Sequence, residues 1–302
     1  VAGTEWDYGE ESPLVDARGW TMSRSEAHPT QLTDQPLSPE QVAAEAIREE
    51  RAAGRWNDEP LHLLTNLVLT NGARYYVDHA HPEYSSPETT TYRDAVLWDQ
   101  AGEVVLRRAS TYLAEQQGAQ IRLYKNNTDN KGVSYGAHEN YLVSRDVNFD
   151  NLVSGLLPFF SSRQVFCGAG RAGIGIGKVQ PSFQISQRAD FFEEQVGLET
   201  TIRRPIVNTR DEPHAWGEKY RRLHVIIGDA NLSQYSTWLR IGSTDLVLGM
   251  IGAGWKPAFG LLDPVTALQQ ISHDPTLQAT VFCTDRVKRT GLQIQRYYQE
   301  EA

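Results

Sequence analysis

Alternating apolar and polar residues predict β-strands along much of the chain after residue 60. The clearest case covers residues 67–78, where Asn71-Gly72 separates two strand-like segments. Because Asn-Gly is a preferred two-residue turn, this segment predicts a β-hairpin. The pattern predicts further strands at 121–125, 134–142, 182–188, 204–210 and 222–228.

Apolar residues at helical spacing appear in two long segments. They predict helices over 91–117 and 231–251, and Asn231 or Ser233 can cap the second. Paired strands interleaved with long helices indicate an α+β fold, with one sheet and helices packed on one of its faces. Residues 21–60 are polar and contain several prolines. They predict a mobile insertion with one solvated helix, which begins after Ser38.

The composition favours a single large domain over residues 1–302, since 40% of the residues are hydrophobic. The longest nearly apolar run, 246–255, is about half of the ~20 residues that cross a bilayer, so we expect no membrane span. The chain opens without a basic and apolar leader, so we expect no secretory signal. Its only cysteines, Cys167 and Cys283, cannot form a disulfide framework or a typical zinc motif. A cytoplasmic location is expected.

The net charge of −9 is concentrated at the front of the chain. Residues 1–60 contain 13 acidic and 5 basic residues, a net charge of −8, which leaves −1 for residues 61–302. The body of the chain is therefore able to bind an anion. We expect neither nucleic acid nor a membrane as a partner.

One predicted strand carries a row of ionisable residues. Arg74, Tyr76 and Asp78 share a face, because alternate residues of a strand point to the same side. Further ionisable side chains follow within ten residues, namely His79, His81, Glu83 and Glu88. This group could hold a hard cation through carboxylate oxygens and present Asp78 as a base. A solvated strand edge is the alternative interpretation.

Two other predicted strands have polar faces, which carry Ser134, Gly136, His138 and Asn140 in one case and Gln184, Ser186 and Arg188 in the other. Taken singly, such residues are commonly structural, but together they favour a hydrated, concave surface of the sheet. Arginines suited to phosphate or carboxylate are Arg188, Arg203, Arg204, Arg210, Arg221 and Arg222. They favour a phosphate-rich ligand with a divalent ion. For Arg203 and Arg221, a surface of mixed charge is the alternative.

The glycine-rich stretch 168–173 matches the pattern G-x-G-x-x-G of dinucleotide-binding proteins. Such a turn must open a helix, whereas the residues that follow, Ile174-Gly175-Ile176-Gly177, are a poor helix start. A flexible loop is the favoured interpretation. The chain has no Walker A, His-Glu-x-x-His or Gly-x-Ser-x-Gly sequence, so these enzyme classes have no support.

The stretch from Arg74 to Glu88 resembles the signature of the Dop/PafA family, which comprises Pup deamidases/depupylases and Pup ligases. Supporting stretches lie at 124–132, 134–141, 184–193, 208–214 and 222–231. The resemblance implies a glutamine-synthetase-like fold, in which a curved antiparallel sheet binds ATP and Mg²⁺. The chain lacks the few dozen residues that family members have between Gly3-Thr4-Glu5 and the stretch 11–19. We likewise expect no counterpart of the family's small C-terminal domain within residues 1–302.

The resemblance also assigns roles to individual residues. It implies that Asp78 is the catalytic aspartate and that Arg74 and Ser86 contact the nucleotide. The implied metal ligands are Glu5, Tyr76 and Glu83, together with His138 and His224 for a second metal. Arg188 and Arg210 are the implied phosphate clamps.

By resemblance, the chain is a hydrolase that deamidates the C-terminal glutamine of Pup and cleaves the Pup–lysine isopeptide bond. ATP or retained ADP and phosphate would be required without stoichiometric turnover. The spacing from Asp78 to Glu83 and the insertion at 21–60 favour the deamidase branch over the ligase branch. A ligase and a Pup-binding fragment without catalysis are the alternatives. Expected partners are Pup, pupylated proteins and a proteasomal ATPase.

Overall fold

The computed structural model of the protein describes residues 2–3, 12–32, 66–78, 81–128, 133–173, 182–212 and 214–302. The helices are α1 (Tyr92–Gln117), α2 (Phe149–Ser162), α3 (Gln164–Cys167), α4 (Gln234–Gly252), α5 (Pro264–Ser272) and α6 (Gly291–Glu301). The strands are β1 (Ala2–Gly3), β2 (Val15–Asp16), β3 (Trp20–Thr21), β4 (Asn66–Val68), β5 (Arg74–Asp78), β6 (His81–Ser85), β7 (Glu139–Ser144), β8 (Arg171–Gly173), β9 (Ser182–Gln184), β10 (Phe192–Gly197), β11 (Arg204–Asn208), β12 (Tyr220–Val225), β13 (Thr280–Phe282) and β14 (Lys288–Thr290).

Contacts within the chain divide it into two compact units. The first unit comprises residues 1–11 and 33–123, and the second comprises residues 12–32 and 124–302. The predicted helix after Ser38 and residues 33–60 of the predicted insertion lie outside the described ranges. Among the helices that the structure describes, none combines the length and apolar character of a membrane span.

The first unit contains a four-stranded antiparallel sheet in the order β1-β4-β5-β6. The predicted hairpin over 67–78 is confirmed, because β4 and β5 pair from Asn66 opposite Tyr76 to Val68 opposite Arg74. Its loop is wider than the predicted two residues. The Leu69 N–H donates to the carbonyl of Ala73 at 2.8 Å, and Gly72 takes a left-handed φ of 85°.

Helix α1 confirms the prediction over 91–117, and its boundaries follow from local chemistry. The Thr91 side chain accepts a hydrogen bond from the Asp94 N–H, and Gly118 ends the helix with a φ of 62°. Gly102 lets the helix lie close to β6, since a Cβ there would come within 2.3 Å of the Tyr84 ring. The packing of α1 on the sheet thus depends on a residue without a side chain.

Helix α2 lies at the centre of the second unit, although the sequence pattern did not single it out. Asn148 caps it by accepting a hydrogen bond from the Asp150 N–H at 2.7 Å. Leu152, Leu156 and Phe159 recur at helical spacing and are buried. They belong to one apolar core with residues of the strands and later helices, among them Phe192, Ile206, Leu223, Leu268 and Ile294.

Two strand pairs adjoin this core. β7 and β12 are antiparallel, from Glu139 opposite Val225 to Ser144 opposite Tyr220. β10 and β11 are parallel, which departs from the expectation of a wholly antiparallel sheet. Residues 198–203 connect the end of β10 to the beginning of β11. An extended segment of this length can run back along the whole of β10, so that β11 starts beside the beginning of β10 and runs parallel to it.

Several predicted strands differ from those observed. Residues 121–125 form no strand, and the first four of them lie exposed. The strand predicted at 134–142 begins only at Glu139, since Gly136 has a left-handed φ of 90° that interrupts an extended chain. The strand predicted at 182–188 ends at Gln184, where the chain bends.

Other elements agree with prediction within a few residues. The strands predicted at 204–210 and 222–228 are observed as β11 and β12. The helix predicted over 231–251 is α4, and Ser233 rather than Asn231 is its cap. The last three residues of the glycine-rich stretch 168–173 form β8, and residues 174–181 after them lie outside the described part of the chain, so the interpretation as a loop stays a prediction.

A buried ionic cluster ties β7 to the helices of the second unit. Glu139, Arg163 and Arg240 are only 7%, 2% and 3% exposed. The Arg163 Nη2 donates to the Glu139 Oε1 at 2.7 Å, and the Tyr141 hydroxyl donates to its Oε2 at 2.7 Å. Burial alone would raise the pKa of Glu139, but the two arginines and these hydrogen bonds outweigh it and lower that pKa.

Arg163→Met should lower the free energy of unfolding by about 3 kcal/mol, because it leaves a buried carboxylate poorly compensated. Since the pKa of Glu139 is lower in the folded state, its contribution to stability is present above pH 4.5, the ordinary carboxyl value, and is lost as the pH falls. The variant should flatten that dependence. Urea unfolding across this pH range measures both effects. Arg203→Met is the control, because that arginine is 70% exposed and its ion pair is worth about 1 kcal/mol or less. Equal losses in the two variants would contradict the prediction.

Candidate active site

In the first unit, the pairing of β5 with β6 brings the predicted ionisable residues together. Residues directly opposite in antiparallel strands share a face of the sheet. The three opposed pairs on this face are Arg74 with Ser85, Tyr76 with Glu83, and Asp78 with His81. The sequence predicted the row of Arg74, Tyr76 and Asp78 on β5. The register of β6 then determines which residue lies opposite each of them.

Tyr76 and Glu83 form the best-defined contact on this face. The Tyr76 hydroxyl donates to the Glu83 Oε1 at 2.5 Å and lies 3.2 Å from the Ser85 Oγ. Burial, followed by the charge of Glu83, raises the pKa of Tyr76 well above its ordinary value. The phenol therefore stays protonated and holds the carboxylate in one orientation. Carboxylate oxygen is the ligand type that Mg²⁺ prefers.

Asp78 lies exposed at the end of β5, and Ser86 lies exposed directly after β6. The carboxylate of Asp78 is thus accessible to a substrate or to water. His79, a member of the group of ionisable residues, and Glu5, which the resemblance made a metal ligand, lie outside the described residues. The described part of the predicted site in this unit therefore comprises Arg74, Tyr76, Asp78, Glu83 and Ser86.

In the second unit, His138 and His224 lie side by side. Their ring centroids are 5.3 Å apart and their planes are nearly perpendicular at 86°. The His224 Nδ1 lies 2.8 Å from the Asn140 Oδ1. The Arg222 Nη1, which can only donate, lies 3.2 Å from the same Nδ1, so the two contacts call for opposite tautomers of His224. A proton on Nδ1, as the shorter contact requires, leaves the Nε2 lone pair able to bind a metal ion.

Both imidazoles are held in the neutral form. The side chain of His138 is exposed at the surface, but the surrounding protein removes much of the water that would hydrate its charged form. This loss of hydration, followed by the positive charges of Arg188 and Arg204, lowers the pKa of His138 to about 3. Burial, followed by His138 and Arg222, lowers the pKa of His224 well below its ordinary value. Neutral imidazole is the metal-binding form, but it suits zinc and other transition metals better than Mg²⁺. The first unit's oxygen donors therefore fit Mg²⁺ better than this pair does.

A chain of hydrogen bonds connects His224 to Arg210. Arg222 donates through Nη1 to the Asn140 Oδ1 at 2.9 Å and through Nε to the Glu212 carbonyl at 2.9 Å. Arg210 pairs with the Glu212 carboxylate at 2.7 Å. Sequence reasoning assigned no role to Glu212, although its position two residues from Arg210 was a usable signal. Glu212 fixes both arginines relative to the imidazoles.

Arg188 is the most buried of the predicted site residues, with 1% exposure. It donates through Nε to the Ser134 Oγ at 2.9 Å and through Nη1 to the carbonyls of Gly228, at 2.9 Å, and Ile226. Burial lowers the pKa of Arg188 to about 9. These bonds tie three chain segments together. The predicted contact of Arg188 with phosphate stays a prediction.

The described residues contain no group of three or more His, Cys, Asp and Glu side chains arranged to hold a metal ion. Glu5, which the resemblance made a metal ligand beside Tyr76 and Glu83, lies outside them. The metal sites implied by the resemblance therefore stay a prediction.

Comparison with known proteins gives matches along the whole chain. The model of a family described as Pup-ligase protein matches residues 1–302. A depupylase of Acidothermus cellulolyticus is 54% identical over 299 residues, covering 98% of this chain and 54% of the relative. A Pup deamidase/depupylase of Mycobacterium tuberculosis is 51% identical over 301 residues, covering 98% and 55%. The chain thus spans about half the length of these curated relatives.

Ligases of the same family are more distant. A Pup–protein ligase of Kineococcus radiotolerans is 43% identical over 274 residues, covering 88% of this chain and 58% of the relative. The structure of the Pup ligase PafA in complex with ADP has a TM-score of 0.73 and 37% identity, covering 93% of this chain and 60% of that one. A complex of Pup with PafA gives a TM-score of 0.71 and 38% identity, covering 88% and 53%. These matches confirm the expected α+β, glutamine-synthetase-like fold.

Gly136→Ala should destabilise the protein through Arg188. A Cβ at this position would lie 2.3 Å from the Arg188 Nη1, and the φ of Gly136 is 90°. Gly19→Ala is the matched control, because Gly19 has a φ of 94° and no atom within 4 Å of its added Cβ. Both should lose about 1–2 kcal/mol of unfolding free energy from backbone strain, and Gly136→Ala should lose about 1–3 kcal/mol more.

Urea unfolding measures these losses, and a double-mutant cycle with Arg188→Ala isolates the contact. Removing the side chain beyond Cβ, including the Cδ that lies 2.6 Å from the added Cβ, should remove the additional loss. If Gly136→Ala costs as much in the Arg188→Ala background as in the wild type, the close contact is not its cause.

Proposed function

Because the chain belongs to the Pup-ligase family, we propose that it is a hydrolase acting on Pup, the small protein that is attached to lysines of other proteins. It would deamidate the C-terminal glutamine of Pup and cleave the isopeptide bond between Pup and a lysine. The observation that carries this proposal is the closer match to depupylases, at 54% and 51% identity, than to a Pup ligase at 43%. Both reactions break an amide bond of the same side chain.

Asp78 would be the catalytic residue. Its carboxylate is exposed at the end of β5, where it can attack the amide carbon as a nucleophile or orient a phosphate or a water molecule that attacks it. Attack places negative charge on the amide oxygen, and breaking the C–N bond then releases ammonia or lysine, which takes its proton from water. If Asp78 itself attacks, water afterwards hydrolyses the acyl intermediate and restores the carboxylate. Cations near the carbonyl would stabilise the oxyanion.

ATP, or retained ADP and phosphate, with Mg²⁺ would be the cofactor, and it would supply positive charge and phosphate groups at the site. In the first unit, Tyr76 and Glu83, with Glu5, would hold the metal, and Arg74 and Ser86 would contact the nucleotide. In the second unit, His138 and His224 would bind a second metal, and Arg188 and Arg210 would contact phosphate. The short Tyr76–Glu83 hydrogen bond and the neutral imidazoles support these assignments. The ADP found with PafA supports nucleotide binding.

Pup and pupylated proteins would be the partners, with a proteasomal ATPase downstream and a cytoplasmic location. The complex of PafA with Pup supports the first of these. A Pup ligase is the second candidate function, because the solved structures that resemble the chain are those of PafA. A ligase would consume ATP in step with each conjugate that it forms.

Incubation with a purified Pup–protein conjugate, with and without ATP, separates the candidates. Release of the free target only with nucleotide, and without matching ATP consumption, supports the depupylase. Formation of new conjugate from Pup and target supports the ligase. Retention of the conjugate without cleavage would show a Pup-binding protein without catalysis.

Asp78→Asn should lower the rate of target release roughly 10³-fold or more, because the neutral amide can neither attack nor deprotonate water. Its affinity for nucleotide should stay within about threefold of wild type, since the exchange keeps the size and polarity of the side chain. Release assays and nucleotide titration measure the two effects. Asp245→Asn, an exposed position on α4, is the matched control. Wild-type release by the Asp78 variant would remove Asp78 from the mechanism.

A further inference from the structure

A polar pocket lies in the second unit at the beginning of α2. Its volume is about 290 Å³, and its lining residues are Ala17, Arg18, Arg145, Asn148, Phe149, Asp150 and Arg221. The pocket involves none of the residues assigned to catalysis or to cofactor binding. Since β12 alternates, Arg221 points to the side opposite Arg222 and His224.

Arg221 is the unusual member of this lining. It is 8% exposed, and its guanidinium lies 5.5 Å from the centre of the Phe149 ring. Its Nε and Nη1 have no hydrogen-bond acceptor within the described part of the chain. A buried donor that loses water without gaining an acceptor costs free energy, and the cost is greater for a charged group. The pocket that Arg221 lines is where an acceptor could bind.

The other charged groups around the pocket are already balanced. Arg18 pairs with Asp16 at 2.7 Å, and Arg145 pairs with Asp211 at 2.7 Å. Asp150 lies in the first turn of α2, where it offsets the positive end of the helix dipole. Asp211 also attracts Arg221, but burial still lowers the pKa of that arginine. Of the charged groups in this lining, Arg221 is therefore the one that lacks an acceptor.

The beginning of α2 adds a second donor. Phe149 is the first residue of the helix. Its N–H is the donor that remains in the first turn, because those of Asp150, Asn151 and Leu152 already donate to Asn148. Backbone N–H groups at helix starts are donors that oxygen anions use. Arg221 and the start of α2 line the same cavity.

We propose that this pocket binds a small oxyanion, a phosphate or a carboxylate group, with Arg221 as the principal donor. The anion would accept hydrogen bonds from the Arg221 Nε and Nη1 and from the backbone N–H at the start of α2. It would thus supply the acceptors that the described part of the chain does not provide. This site is separate from the proposed cofactor-binding residues.

The test follows the side-chain Nε–Hε signal of Arg221 by nuclear magnetic resonance during titration of the whole chain. The signal is assigned by its absence in Arg221→Gln. One titration uses inorganic phosphate and a second uses acetate. A saturable shift with either probe supports the site, and the probe with the higher affinity identifies the class of anion. No saturable shift with either probe overturns the proposal.

Asn148→Asp tests the site while Arg221 stays in place. Aspartate caps a helix as well as asparagine does, so the fold should be preserved, while the added negative charge repels an anion in the pocket. The affinity of the better probe should fall about tenfold, an effect typical of adding one charge beside a binding site. Lys288→Gln, which removes one exposed positive charge from β14, is the control and should bind as wild type does. Unchanged affinity in Asn148→Asp would overturn the proposal.

Discussion

The buried carboxylate of Glu139 fixes the strand pair on which the imidazole site is built. Its two arginine partners lie on the core side of β7. Asn140 is the next residue and must point the other way, where it reaches His224. A slip of one residue would bury Asn140 and expose Glu139. Because that slip would also separate the carboxylate from its arginines, the cluster fixes the register of β7 and, with it, the position of Asn140 beside His224.

Local signals in the sequence were sufficient for much of the first unit. The Asn71-Gly72 turn and the alternation after it were enough to predict that Arg74, Tyr76 and Asp78 share a face. Helix α1 could also be predicted, since its cap and its glycine terminus lie within the segment itself. To predict the contact of Tyr76 with Glu83, the register of β6 would also have to be known. The sequence had placed Glu83 within ten residues of the row on β5, and the resemblance had made it a metal ligand.

The second unit was harder to predict because its site depends on contacts between distant segments. Gln184, Ser186 and Arg188 alternate as predicted, but all three are buried rather than hydrated. Alternation shows which residues share a face and does not show what covers that face. The two carbonyl groups that accept hydrogen bonds from Arg188 lie 38 and 40 residues further along the chain. No pattern of neighbouring residues could have predicted these contacts.

The two adjacent arginines of β12 show how one strand separates different kinds of charge. Arg222 faces Glu212 and Asn140, which accept its hydrogen bonds and make it part of a fixed network. Arg221 faces the start of α2, where the Phe149 ring covers it without offering an acceptor. An aromatic ring compensates only part of the hydration that a guanidinium loses on burial. The two sides of β12 therefore differ in electrostatic balance, and the side of Arg221 retains an attraction for negative charge.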